Sequence, residues 1–349
     1  MDMCVDHVGQ GLCMLADSIS SSYQLPLLQL LLPTHFSTVN SASQVLFYLQ
    51  DKYNMPRDRA AYRNVRFYDA STATCVGGFY QNGSITEENL IWILSEVLLI
   101  TDGEHPWTIQ HRPSGRTITS SSNPVVLGNY DIYSTGSLQV TNEPWFARLT
   151  SHSISGREDQ FRYEVRARDG KCVISGQVNP SAQWDDWAGL EAAHVFPVAK
   201  ESLWIALNYG RWITNINDAE GQSKIHSVQN GLLMMGNLHT RFDQYLFSIN
   251  PDDGYKIVEF GAGSWGIDGR ILDPVCRDPN TNNCVSDELL RWHFRQSVLA
   301  NMRGAGEPIF ESDFPPGSDM MATLHDEVYG KERFEMILES KLQSEITNK

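Results

Sequence analysis

Basic residues are scarce in this sequence of 349 residues. Lys and Arg together number 27 against 42 Asp and Glu, which gives a net charge of −15. The deficit is evenly spread, because residues 1–150, 151–300 and 301–349 each hold five more acidic than basic side chains. A general polyanion binder usually has a strongly basic face. Composition therefore does not predict a nucleic-acid partner, and any such partner must be inferred from the site itself.

The sequence also has no long apolar run. The stretch from Leu25 to Leu32 is about eight residues long, whereas a membrane-spanning helix needs roughly 20. The first 50 residues contain no Lys or Arg, although a secretory signal begins with a basic segment. We therefore expect an intracellular protein, cytoplasmic or nuclear, with no membrane partner. The oligomeric state is left open.

Cysteine patterns that bind zinc are absent. None of the six cysteines stands in C-x-x-C spacing, so a zinc ribbon is not predicted. Cys276 and Cys284 flank a polar loop and would pair in an oxidising compartment. Two free thiols are the favoured interpretation.

Composition and periodicity predict an α+β chain of four segments. Residues 1–60 are a leader of uncertain structure, 60–150 a small α+β domain, 151–305 a second α+β domain, and 306–349 an acidic helical tail. Three local signals are strong. They are a helix capped by Thr86, a hairpin turning at Asn250–Gly254, and a helix from Asp287 to about Met302.

Two further elements are predicted near the middle of the chain. The dipeptide Asp169-Gly170 favours a strand-turn-strand, since Asp-Gly is a frequent hairpin turn. A short helix is expected around Leu238 to Tyr245. His239 and Asp243 are four residues apart, so a helix places both on one face. That spacing suits two ligands of one divalent metal.

A third candidate lies upstream on a predicted strand. His194 stands shortly before Pro197, which ends that strand. A neutral imidazole there is able to take a proton from water. Hydrolysis of a phosphodiester needs such a base, together with a cation that neutralises the charge developing on the phosphate.

The order of these motifs resembles the HNH endonuclease family. Residues 192–197 read Ala-Ala-His-x-x-Pro, residues 230–233 read Asn-Gly-Leu-Leu, and residues 239–243 read His-x-x-Phe-Asp. The pattern is most similar to a branch common in fungal proteins, and residues 168–176 resemble that branch's opening hairpin. The resemblance covers about residues 160–300. It implies an HNH nuclease-like domain with the ββα-metal (His-Me finger) fold at 151–305, and residues 60–150 resemble a small domain that often precedes it.

The resemblance also implies a role for each matched residue. His194 is the general base, Asn230 pins the loop between the two strands, and His239 and Asp243 hold the metal. The familiar pattern has a metal ligand directly before the base, but this sequence has Ala193 there. Glu191 lies on the same strand face and is a possible substitute through a water. We expect Mg²⁺ or Mn²⁺, weakly bound or absent.

Several side chains have more than one interpretation. His226, four residues before Asn230, and Arg241 are possible site residues, and a structural role is the favoured interpretation of His226. Tryptophans are able either to stack a ligand or to fill the core. The four in question are Trp184, Trp187, Trp204 and Trp212.

Three functions remain open from the sequence. The favoured one is a metal-dependent endonuclease acting on DNA. The second is a repurposed HNH-fold enzyme, such as a cyclase or isomerase, acting on a small molecule in fungal specialised metabolism, and the third is a non-catalytic interaction module. A positive trough near His194 would favour phosphate, and a tryptophan-lined pocket would favour a small molecule. The trough would use Arg157, Arg162, Arg166, Arg168, Lys171 and Arg241.

Overall fold

The computed structural model describes residues 59–101, 106–143, 145, 156–215, 223–262 and 265–306. Almost all of the predicted leader and the predicted helical tail lie outside the described residues. Among the described helices, none combines the length and the hydrophobicity that crossing a membrane requires. Cys276 and Cys284 are free thiols, as the favoured interpretation predicted.

The first part of the described chain forms a five-stranded mixed sheet with the strand order β2-β1-β6-β4-β5. β1 pairs antiparallel with β2 and parallel with β6, and β4 lies antiparallel to β6. The strands are β1 (Val65–Asp69), β2 (Cys75–Phe79), β4 (Trp107–His111), β5 (Arg116–Thr117) and β6 (Gly128–Ser134), and β3 (Leu99–Thr101) pairs separately with β7 (Leu138–Val140).

The first helix, α1 (Glu87–Ile93), begins where the sequence predicts. The Thr86 hydroxyl accepts a hydrogen bond from the backbone of Asn89, whose side chain accepts one from Thr86 in return. This reciprocal cap satisfies amide groups that the first turn leaves without partners. The helix continues as a π-helical turn, Leu94–Leu98.

The second part holds two antiparallel hairpins among four helices. The helices are α2 (Gly156–Asp169), α3 (Glu201–Ala206), α4 (Gly236–Asp243) and α5 (Asp287–Met302). The hairpins are β8 (Leu190–His194) with β9 (Gly231–Met235), and β10 (Phe247–Asn250) with β11 (Lys256–Glu259). The predicted β10–β11 hairpin and the predicted helix α5 are confirmed.

The predicted strand-turn-strand around Asp169-Gly170 is wrong. Residues 156–169 form α2, and Gly170 ends the helix with a left-handed φ of 63°. Two features favour the helix: an ion pair between Glu158 and Arg162 four residues apart, and an apolar face with Phe161 and Val165. A shorter chain reversal follows, where Lys171 bridges to Val178.

Helix α5 belongs to two hydrophobic cores. Its first half packs Leu289, Leu290 and Trp292 into the core around β8 and β9. Its second half packs into the core beneath the five-stranded sheet. That second core also takes Tyr245, which follows α4, Val258 of β11, and Phe260, which follows β11. The division into domains near residue 150 stays a prediction, because the described chain packs across it.

This shared core predicts that residues 59–145 do not fold alone. Without Phe294, Val298 and Leu299, all buried, the apolar core of the sheet and α1 loses the cover that α5 gives it, and part of that core stays exposed to water. We expect the fragment 59–145 to show no cooperative unfolding by circular dichroism, and the fragment 59–306 to unfold cooperatively. A dispersed amide NMR spectrum from the shorter fragment would instead establish an independent domain.

Candidate functional site

The hairpin of β8 and β9 separates the predicted site residues onto two faces. His194, the last residue of β8, lies opposite Gly231 of β9. Because successive side chains of a strand point to opposite faces, Glu191 and Ala193 share one face and His194 lies on the other. Helix α4 follows β9 directly and covers the face of Glu191, whereas α2 covers the face of His194.

Asn230 fixes the end of β8. Its side chain is fully buried, and its Oδ1 accepts a hydrogen bond of 2.7 Å from the backbone N–H of Phe196. Its Nδ2 donates to the carbonyls of Phe196 at 3.1 Å and of Ile225 at 2.8 Å. The backbone carbonyl of Asn230 accepts from Val195 at 2.8 Å. One residue therefore holds the chain just after His194 and just before His226.

The imidazole of His194 is stacked on Phe161 of α2. The ring centroids are 3.7 Å apart and the planes differ by 11°. The close approach of α2 depends on Gly231, because a Cβ there would come within 2.5 Å of Phe161 Cε2. Phe161 is buried and His194 is half-buried, so one face of the imidazole is shielded from water.

His226 lies beside His194. The two imidazole centroids are 5.3 Å apart and the rings are close to perpendicular. His226 also meets Phe161 edge-on, with a centroid distance of 6.5 Å. The structure thus brings His194, His226 and Phe161 into one aromatic cluster, which we call the imidazole cluster.

Glu191, His239 and Asp243 form a second group on the opposite face, here called the carboxylate–imidazole group. His239 Nδ1 lies 2.6 Å from Glu191 Oε2, and His239 Nε2 lies 3.4 Å from Asp243 Oδ2. Gly236, at the start of α4, leaves room for Glu191, since a Cβ there would come within 2.8 Å of its Oε1. The Glu191 carboxylate therefore lies at the positive end of α4, which stabilises its charge.

The carboxylate–imidazole group fits a weakly held divalent cation. A carboxylate only accepts hydrogen bonds, so Nδ1 of His239 carries the proton and the lone pair of a neutral imidazole lies on Nε2. The Nε2 atom that carries this lone pair lies 3.4 Å from Oδ2 of Asp243. Ligand bonds of about 2.0–2.2 Å allow both atoms to share one ion. Among the described residues, no group of three or more His, Cys, Asp or Glu is arranged to hold a metal.

Four of the six basic side chains that were expected to form a positive trough have acidic partners. Arg162 pairs with Glu158 and Asp159, Arg168 with Asp169, Lys171 with Asp273, and Arg241 with Glu259. Arg166 lies over the ring of Trp187 at 5.3 Å, and the side chain of Arg157 lies outside the described residues. These pairs neutralise most of the charge on which the trough would depend.

Two of these pairs have structural roles. Arg168 donates to the carbonyls of Val228 and Gly231, while Asp169 accepts from the backbone of Leu233, so the pair ties α2 to β9. Burial raises the pKa of the Asp169 carboxyl, and Arg168 opposes that rise.

Arg241 points away from the site residues of α4. It donates to Glu259 of β11 at 2.8 Å and lies over the ring of Trp265. The carboxyl of Glu259 has its pKa raised by burial, and Arg241 opposes this effect. We therefore assign Arg241 to packing between α4 and β11.

The tryptophans do not surround His194. Trp204 is buried against Phe196, and Trp184 is exposed. Trp212 lines a cavity of about 240 Å³ together with Trp92 and Trp292, and none of the predicted site residues contributes to its lining. The aromatic side chain that meets His194 is Phe161, which sequence reasoning missed.

The three hydrogen bonds of Asn230 predict a large stability loss for Asn230→Asp. The substitution replaces two buried donors with a carboxylate oxygen that faces carbonyls, and each unsatisfied buried group costs about 1–3 kcal/mol. We expect urea unfolding to show a loss of at least about 2 kcal/mol. The control is Asn208→Asp, an exposed residue whose side chain caps no helix. Equal stability of the two variants would contradict the role of Asn230.

In a comparison with known proteins, two parts of the chain match family models. Residues 172–250 match the family model described as HNH endonuclease. Residues 62–139 match a domain of unknown function, DUF8573. No curated protein and no solved structure matches the chain. The HNH match contains β8, β9 and α4 but not α2, so Phe161 comes from outside it. The segment of residues 172–250, which holds His194, Asn230, His239 and Asp243, is therefore similar to the HNH endonuclease family.

Proposed function

We propose that the protein is a metal-dependent endonuclease that hydrolyses DNA phosphodiester bonds at the β8–β9–α4 unit, a ββα-metal fold. The HNH family match suggests a nuclease-like function and nucleic-acid binding in general. The observation that carries the proposal is the Nε2–Oδ2 distance of 3.4 Å between His239 and Asp243, which lie on the opposite face of the β8–β9 pair from His194.

The separation of His194 from His239 and Asp243 is compatible with one site. In the familiar pattern the metal ligand directly precedes the base, so the two side chains already point to opposite faces of a strand. Here β8 pairs only with β9 in its sheet, and its other edge carries no described strand. A phosphodiester lying along that edge of β8 would contact side chains on both faces of the strand.

His194 is the general base in this proposal. It accepts a proton from the attacking water, while Asn230 holds the backbone after it and Phe161 shields one ring face. Glu191 orients the imidazole of His239 through Nδ1, which leaves Nε2 and Asp243 Oδ2 for Mg²⁺ or Mn²⁺. A divalent cation bound by His239 and Asp243 would neutralise charge on the phosphate and the leaving oxygen.

The small-molecule alternative has weaker support. It predicts a tryptophan-lined pocket at His194, yet the cavity with Trp92, Trp212 and Trp292 has no site histidine in its lining. The pairing of Arg162, Arg168, Lys171 and Arg241 with acidic residues weakens the case for tight DNA binding. It does not weaken the case for phosphodiester chemistry, which depends on the site residues. A non-catalytic interaction module would not require His194, Asn230, His239 and Asp243 to occur in this sequence order.

The first test of the proposal is plasmid nicking with Mg²⁺, Mn²⁺, Ni²⁺ or Zn²⁺. We expect metal-dependent nicking that falls by about 100-fold or more in His194→Ala, because general base catalysis contributes about 10²–10⁴-fold. The control is His111→Ala, a histidine of the five-stranded sheet. Equal nicking by the wild type and His194→Ala would mean that the activity does not come from this site.

The second test concerns metal affinity and needs no activity. Asp243→Asn removes a proposed ligand, and we expect it to weaken Mn²⁺ binding more than Glu191→Ala does. Glu191→Ala should lower the affinity by about 10–100-fold, as loss of an orienting partner does, and Glu191→Gln should lower it less because the amide oxygen still accepts from His239. Isothermal titration calorimetry measures each affinity.

The matched control for the metal test is Glu288→Ala, an exposed acidic residue of α5. Equal affinities for wild type, Asp243→Asn and Glu288→Ala would exclude the carboxylate–imidazole group as the metal site. A loss in Asp243→Asn without any loss in Glu191→Ala would exclude the orienting role alone.

A further inference from the structure

His226 lies next to the proposed base for a structural reason. The Asn230 side chain that holds Phe196, two residues after His194, also donates to Ile225, the residue before His226. The positions of both histidines are therefore set by the same buried amide. Phe161 contacts both rings, flat against His194 and edge-on to His226.

The spacing suits two roles at one phosphate. The imidazole centroids are 5.3 Å apart, and both rings are half-buried. Hydrolysis by in-line displacement brings an attacking and a leaving oxygen to the same phosphorus. Metal pairs that serve both oxygens are about 3.5–4 Å apart, and the two imidazoles span a similar distance. Nε2 of His194 and Nδ1 of His226 are buried, so the nitrogens assigned to the two oxygens are Nδ1 of His194 and Nε2 of His226.

In this chain, a side chain that donates a proton to the leaving oxygen would contribute more than in the familiar pattern. Ala193 occupies the slot in which the family has a metal ligand, and His239 and Asp243 alone bind a cation weakly. A weakly held cation stabilises the leaving oxygen less, so direct protonation of that oxygen contributes more to the rate.

We propose that His226 is a second catalytic histidine, the general acid that protonates the leaving oxygen. The inference rests on the proposed phosphodiesterase function. In the step, the water oxygen bonds to phosphorus and its proton passes to His194, while the bond from phosphorus to the leaving oxygen breaks and that oxygen takes a proton from His226. One water is consumed, and the products are a phosphate monoester and an alcohol. The two histidines return to their starting states by proton exchange with solvent.

The test compares two leaving groups in the presence of Mn²⁺. Thymidylyl-(3′→5′)-thymidine has an alkoxide leaving group, which needs a proton, whereas bis(p-nitrophenyl) phosphate releases a stable phenolate, which does not. We expect His226→Gln to lose about 100-fold or more in kcat/KM on the dinucleotide, since general acid catalysis contributes about 10²–10⁴-fold. The loss on the nitrophenyl ester should be below about 10-fold, and His194→Gln should lose on both substrates.

Other outcomes overturn the proposal. An equal loss on both substrates would make His226 a positioning residue, and no loss on either would remove it from catalysis. His111→Gln is the matched control, and His226→Asn replaces His226→Gln if circular dichroism shows that the latter is unfolded. Hydrolysis of neither substrate by the wild type would instead overturn the proposed function itself, a failure distinct from a change in the variant alone.

Discussion

The buried amide of Asn230 is the interaction on which the candidate site depends. Its three side-chain hydrogen bonds join the end of β8 to the segment that leads into β9. Beyond the backbone hydrogen bond from Val195 to Asn230, neither segment is a regular strand there, so no longer ladder of backbone hydrogen bonds joins them. A single side chain with both a donor and an acceptor replaces that ladder, and an apolar residue of the same size would leave several buried backbone groups without partners.

The hairpin held in this way carries different chemistry on its two faces. The face under α2 carries the imidazole cluster, and the face under α4 carries the carboxylate–imidazole group. The segment that matches the HNH family supplies both faces, whereas α2 is an addition from outside the match. The buried pair of Arg168 and Asp169 ties this added helix to β9, so the shielding of His194 is part of the folded core.

Local signals in the sequence were enough for many of the elements. The Thr86 cap, the turn at Asn250–Gly254 and helix α5 depend on neighbouring residues, and the structure has all three. Helix α2 was missed because its charged residues hide a narrow apolar face, and because Asp169-Gly170 is also a common hairpin turn. In the structure the same glycine ends a helix.

In the candidate site, too, local patterns identified some residues and missed their partners. The motif order named His194, Asn230, His239 and Asp243, but their partners come from distant parts of the chain. Phe161 meets His194 from another helix, and Glu191 bonds His239 across 48 positions. The pairing of Arg241 with the buried Glu259 was equally beyond local patterns, because the choice of an ion-pair partner depends on packing.

The sharing of α5 between two cores has a consequence for biosynthesis. The last strand of the five-stranded sheet ends at Ser134, but the residues that complete its core extend to Met302. At a translation rate of about 5–20 residues per second, the sheet therefore remains for roughly 8–34 seconds without the part of its cover that α5 supplies. Its apolar face is open to chaperones, or to other nascent chains, for all of that time.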